Sequence, residues 1–147
     1  MTESTVQQDT SSTSNALSEE QIVAWSREAY QKASAHLADK GIITESVSME
    51  QSRYLAPMLA VWKIKATDKN WYWVISGDLP TDVMTEEGAD SARSAVKAFS
   101  YQWQMKAENI QLAGNADKTQ QDFAQLLISR ANGLYQLSER DELWLNA

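Results

Sequence analysis

His36 is the one side chain in this 147-residue chain whose ordinary titration lies between pH 5 and 8, so it is the natural candidate for a general base or a pH sensor. Its neighbours at helical spacing are Lys32, Ala33, Asp39 and Lys40, and of these only Asp39 could orient an imidazole. It therefore reads as a half-exposed helix residue. A second candidate is the acidic run Asp78, Asp82, Glu86, Glu87 and Asp90, in which no basic residue intervenes before Arg93. Clustered carboxylates can hold a hard cation or form an acid/base pair. Convergence of Asp78 and Asp82 would make a metal-assisted hydrolase. The spacing fits no EF-hand loop, however, and acids in a first helical turn are accounted for by the helix dipole. The expectation is no catalytic residue, no metal and no cofactor.

Six tryptophans stand at 25, 62, 71, 73, 103 and 144, five of them on predicted core faces. Trp62, Trp73, Phe99 and Trp103 could instead line an aromatic pocket for a small ligand between a sheet and its helices. Trp144, near the terminus with Leu143 and Leu145, can lock the tail onto the domain or meet a partner. Arg53, Lys63, Lys65 and Lys69 make a local basic patch that keeps a hairpin face wet and blunts an edge. With no cysteine, thiolate metal sites, disulfides and cysteine nucleophiles are excluded. Gly-x-Ser-x-Gly elbows, phosphate loops and dinucleotide fingerprints are missing. The formal charge of −7 speaks against a nucleic-acid binder, which needs a basic footprint.

The elements that position these residues follow from periodicity. Ser18 with Gln21 makes a capping box, and Ile22, Trp25, Ala29, Ala33 and Leu37 recur at steps of three and four. The spacing predicts a helix over 19–40, stopped by Gly41. A short strand is expected over 42–49, then an irregular connection with Arg53, Tyr54 and Pro57. Leu59 to Ala66 and Trp71 to Ser76 flank Thr67-Asp68-Lys69-Asn70 and read as a hairpin. With a loop of two or four residues, Ala66 falls opposite Trp71. Ala60, Trp62, Ile64 and Ala66 then share a core face with Trp71, Trp73 and Ile75. Val61, Lys63 and Lys65 lie on the wet face with Tyr72, Val74 and Ser76.

After turn formers over 76–82, Asp82 or Thr85 is expected to cap a second helix over 86–112, buried through Ala92, Val96, Phe99, Trp103, Ala107 and Ile110. Thr119 with Asp122 opens a third helix whose face is Phe123, Leu126, Leu127, Ala131 and Leu134. Gly133 costs that helix about 1 kcal/mol relative to alanine. Ser138 caps a last short turn or helix. The class is α+β: a small antiparallel sheet built on a central hairpin and covered on one face by three main helices. Residues 1–17, rich in Ser and Thr, are expected to be a disordered tail before a single domain over 18–147. No secretory leader and no membrane-length apolar run is found, and the expected location is cytoplasmic.

The run from Ser52 to Pro57, then Trp62-Lys63-Ile64-Lys65, then Trp73 to Asp82, resembles a family of short, uncharacterised proteins from marine gamma-proteobacteria. The similarity covers roughly 18–144 and implies a bacterial origin, with no activity to carry over. The expected function is therefore a non-enzymatic accessory or regulatory domain working through protein contacts. Its expected surface is Lys63, Lys65 and Tyr72 with Ser76, Asp78 and Asp82 of the following loop. A free hairpin edge would also let a second copy pair into a homodimer.

Overall fold

The computed structural model describes residues 17–145. All but Leu17 of the tail expected to lack order lies outside them. Helix α1, Glu19–Asp39, opens on the predicted capping box: the Gln21 N–H donates to Ser18 Oγ at 3.1 Å, and the Ser18 N–H donates to Gln21 Oε1 at 2.8 Å. Four strands follow, β1 (Thr44–Leu55), β2 (Leu59–Ala66), β3 (Trp71–Gly77) and β4 (Asp82–Thr85), then helices α2 (Ala92–Leu112) and α3 (Lys118–Ser138). Short 3₁₀ turns occupy Glu86–Gly88 and Asp141–Leu143. The strands form an antiparallel meander in the order β1-β2-β3-β4. The expected α+β class, with an antiparallel sheet and three main helices, is the one observed.

The layering differs from the expected one-sided cover. Ala29, Ala33 and Leu37 of α1 pack with Ala60, Trp62, Ile64 and Val74 on one face of the sheet. Val96, Phe99 and Trp103 of α2 and Leu127 and Leu134 of α3 pack with Leu59, Val61, Trp73 and Ile75 on the other. Both faces are dry, so β2 is buried at seven of its eight positions and carries no inside–outside alternation to betray its register.

The register itself differs by one residue. Val61 faces Ile75, Lys63 faces Trp73 and Lys65 faces Trp71. The cause is the turn. Ala66 N–H donates to the Asn70 carbonyl at 2.9 Å, which closes a three-residue loop, Thr67-Asp68-Lys69, with Lys69 in the left-handed region at φ 73°. An odd loop of this kind reverses the parity that an even loop would impose. Trp62 consequently points away from Trp71 and Trp73. It is not stranded in water, because α1 covers that side.

Other boundaries move for local reasons. The segment containing Arg53 and Tyr54 is strand, not irregular connection. It belongs to β1, whose pairing jumps between Ser48–Lys63 and Arg53–Val61. Ser52 Oγ bridges the gap by accepting from the Lys63 N–H at 2.9 Å and donating to the Ser48 carbonyl at 2.6 Å. Asp82 begins β4 instead of capping a helix. Helix α2 starts later than expected because Ser91 and Ser94 supply its cap, and Asp117 with Gln120 caps α3 two positions ahead of Thr119. Ser138 ends α3 and the last turn begins three residues on. β2 and β3 are the inner strands, so the hairpin has no free edge through which a second copy could pair.

Candidate contact surfaces

Lys63 lies under the sheet's α2 side and is 6% exposed. Its ammonium sits 4.7 Å from the Trp73 ring centroid and 5.8 Å from that of Trp71, and it reaches Glu86 Oε2 at 3.2 Å and Gln51 Oε1 at 3.3 Å. Two rings and two oxygens replace the water it gives up. Ser76 is also buried: its Oγ accepts from Trp62 Nε1 at 3.1 Å and donates to the Ala29 carbonyl at 2.6 Å, which ties β3 to α1. Lys65, beside Glu45, and Tyr72, bonded to Asp68, are half-buried on opposite faces of the sheet. The expected surface of Lys63, Lys65, Tyr72, Ser76, Asp78 and Asp82 is therefore dispersed: three members are buried, and only Asp78 is fully exposed.

The expected pocket is also dispersed. Trp73, Phe99 and Trp103 are in the core beneath α2, whereas Trp62 is in the α1 layer across the sheet. Trp103 Nε1 donates to Asp82 Oδ2 at 2.8 Å and Trp73 Nε1 donates to the Ala89 carbonyl at 2.9 Å, so both indoles are structural. Trp144 does hold the chain's end. It is buried, its Nε1 donates to the Leu137 carbonyl at 3.0 Å, and Arg53 lies over its ring while donating to the Leu143 carbonyl at 2.6 Å.

Asp82 is a junction between β4 and α2. Its carboxylate, 8% exposed, receives Trp103 Nε1, Gln102 Nε2 at 2.9 Å, Lys106 Nζ at 3.3 Å and the Val83 N–H at 2.8 Å. Burial alone would raise its pKa, but those donors outweigh it and hold the carboxyl below the ordinary aspartate value. Asp78 lies elsewhere, at the rim of a groove beside α3. Among the described residues no group of three or more His, Asp or Glu side chains is placed to hold a metal ion.

His36 has a buried Nε2 without a hydrogen-bond partner among the described residues. Burial and the nearby Lys40 ammonium push its pKa down, with Lys106 adding to them, against the opposing pull of Asp82 and Asp39. A histidine with a depressed folded pKa leaves more protons on the unfolded chain, so its contribution is complete above about pH 6.5. It declines as the pH falls below that value and levels off beneath the folded pKa. The thermal midpoint is expected to fall between pH 7 and the onset of carboxylate titration, and His36→Gln to flatten that limb. Superimposable profiles for the two proteins would refute this.

The α3 helix departs from its predicted face. Leu127, Ala131 and Leu134 are buried with Ala124, but Phe123 and Leu126 are 41% and 37% exposed. Phe123, Leu126, Arg130, Gly133 and Leu137 recur at steps of three and four, so they form a separate stripe on α3. Its C-terminal part faces Met58, Leu59, Asp78 and Leu79 across an open groove of about 200 Å³. Gly77 fixes the opposite wall: at φ 124°, a Cβ there would meet the Met58 carbonyl and Leu59 Cα at 2.9 Å, and the Asp78 N–H donates to the Met58 carbonyl at 3.0 Å. The sequence offered one sign of this groove, a glycine on a helix stripe that is apolar but for Arg130. Its other wall comes from loops more than fifty residues away.

Residues 19–144 match the family described as a domain of unknown function, DUF4826. The chain belongs to that family. The match spans α1 through Trp144 and leaves the Ser/Thr-rich tail outside, which agrees with the extent of the resemblance read from the sequence. No curated protein matches the chain, and no solved structure matches it. No described helix is long and apolar enough to cross a membrane.

Proposed function

We propose that this DUF4826 domain is a non-enzymatic contact module that acts by binding another protein. One observation carries the reading: large apolar side chains stand out along the exposed sides of the C-terminal helix pair. Tyr101, Met105, Leu112, Phe123, Leu126 and Tyr135 are all exposed there. Apolar side chains gathered on one pair of elements favour an interaction site more than singly scattered ones do. Trp62, Trp73, Phe99 and Trp103 are committed to the core, which weighs against the alternative of a small-molecule module lined by them. A cytoplasmic location, a marine gamma-proteobacterial source and partners other than nucleic acid and membranes belong to the same proposal.

Crosslinking in the native cell followed by mass spectrometry tests it. The expected result is a protein crosslinked through α2 or α3. A small molecule retained by the purified chain in native mass spectrometry, with no crosslinked protein, would favour the alternative.

A further inference from the structure

Gly133 sits in the last third of α3, a continuous 21-residue helix, where glycine weakens the helix. Nothing among the described residues requires it. A Cβ at this position would meet none of their atoms within 4 Å beyond its own stretch of helix, and the residue has no positive φ. The space above it is the groove lined by Met58, Leu59, Leu79, Leu134 and Leu137. Two charged side chains flank that space, Asp78 on the sheet side and Arg130 on the helix side, and neither forms an ion pair among the described residues. An apolar trough, a missing side chain on its helix side and two charges of opposite sign flanking it, unpaired among the described residues, describe half of an interface.

We infer that this groove receives a polypeptide segment of a partner, which seats one large apolar side chain over Gly133 and places a cation toward Asp78 and a carboxylate toward Arg130. The size selects this occupant. An apolar cavity of roughly 150 Å³ takes a benzene-sized group, whereas small-molecule sites run from about 300 Å³ upward. A volume near 200 Å³ suits a single anchoring residue. Beyond Arg130 the same stripe turns apolar again at Leu126 and Phe123, and from Gly133 to Phe123 it covers about 15 Å of helix at 1.5 Å per residue. That is enough for four or five extended residues to lie beyond the anchor. This inference rests on the reading of the domain as a contact module and narrows it to one site and one ligand chemistry.

The test uses the full chain and short random peptides displayed on phage, with the recovered peptides then synthesised and titrated. The expected peptides carry one Leu, Phe or Trp between a basic and an acidic residue. Gly133→Leu, which fills open space, is expected to keep the wild-type unfolding midpoint or raise it while weakening binding by about tenfold or more. Arg130→Glu is expected to weaken binding similarly, with recovery when the peptide's acidic residue is exchanged for lysine. That exchange keeps the test decisive even if the leucine variant folds poorly. Recovery of no peptide, or peptides indifferent to both variants, overturns the inference. So does a dimer seen by light scattering that Gly133→Leu dissociates, since the occupant would then be a second copy. If native-cell crosslinking still traps a protein at another face, the contact-module reading survives and the groove assignment alone is lost.

Discussion

Asp82→Ala is expected to lower the unfolding free energy by about 3 kcal/mol, within the range for removing one partner of a buried charged network. The carboxylate is the common acceptor for Trp103, Gln102 and Lys106, and alanine would leave the Trp103 indole N–H in the core with no acceptor. Asp82→Asn keeps an amide oxygen in place and should recover part of the loss. The pH dependence has a definite sign. Because the folded pKa lies below the unfolded one, the carboxylate's contribution is present above about pH 4 and disappears as acid protonates it in the folded state. Urea titrations at neutral pH and near pH 3 should show the gap between wild type and Asp82→Asn narrowing in acid. A loss under about 1 kcal/mol for the alanine variant would mean that β4 is held to α2 by packing alone.

Trp73→Ala should cost about 4 kcal/mol, in the range for emptying a large aromatic site in a core. The ring is fully buried on the α2 side of the sheet, its N–H reaches the Ala89 carbonyl, and its face carries the Lys63 ammonium. Truncation removes core volume and also leaves a buried cation with one ring fewer. Trp73→Phe preserves most of the volume and a π face, so it should cost distinctly less. Chemical denaturation followed by far-ultraviolet circular dichroism separates these outcomes without depending on tryptophan emission. Equal losses for the two variants would mean that the indole N–H matters more than the ring.

These two sites show where a one-dimensional reading loses its grip. The three long helices were legible because their signals are local: Ser18 and Gln21 close a box within one turn, and the Val96–Phe99–Trp103–Ala107 stripe repeats at helical spacing. The hairpin was legible as a hairpin but not as a register. Lys69 in the left-handed region makes the loop odd, and lysine at that position gives no warning of the kind glycine or asparagine would. Since the inner strand is buried on both sides, its pattern of apolar residues could not reveal the error.

The candidate surface failed for the same reason. Lysine spacing on β2 looks like a wet face until Glu86 arrives from another part of the chain to neutralise Lys63 and Gln51 accepts a hydrogen bond from it. Phe123 and Leu126 went the other way. They fit an apolar helical face, but α2 and the sheet consume only one side of α3, through Ala124, Leu127, Ala131 and Leu134.

What the chain's letters settled alone was the class of fold, the presence and order of the three long helices and the absence of thiol chemistry, because caps, periodicity and composition act over a few residues or none. The tertiary structure alone decided which side of the sheet each tryptophan enters, that Asp82 is a buried hub, and that Gly133 lines an apolar trough. Each of those depends on atoms brought together from far along the chain. Burial and charge compensation belong to the assembled neighbourhood, and no single segment carries them.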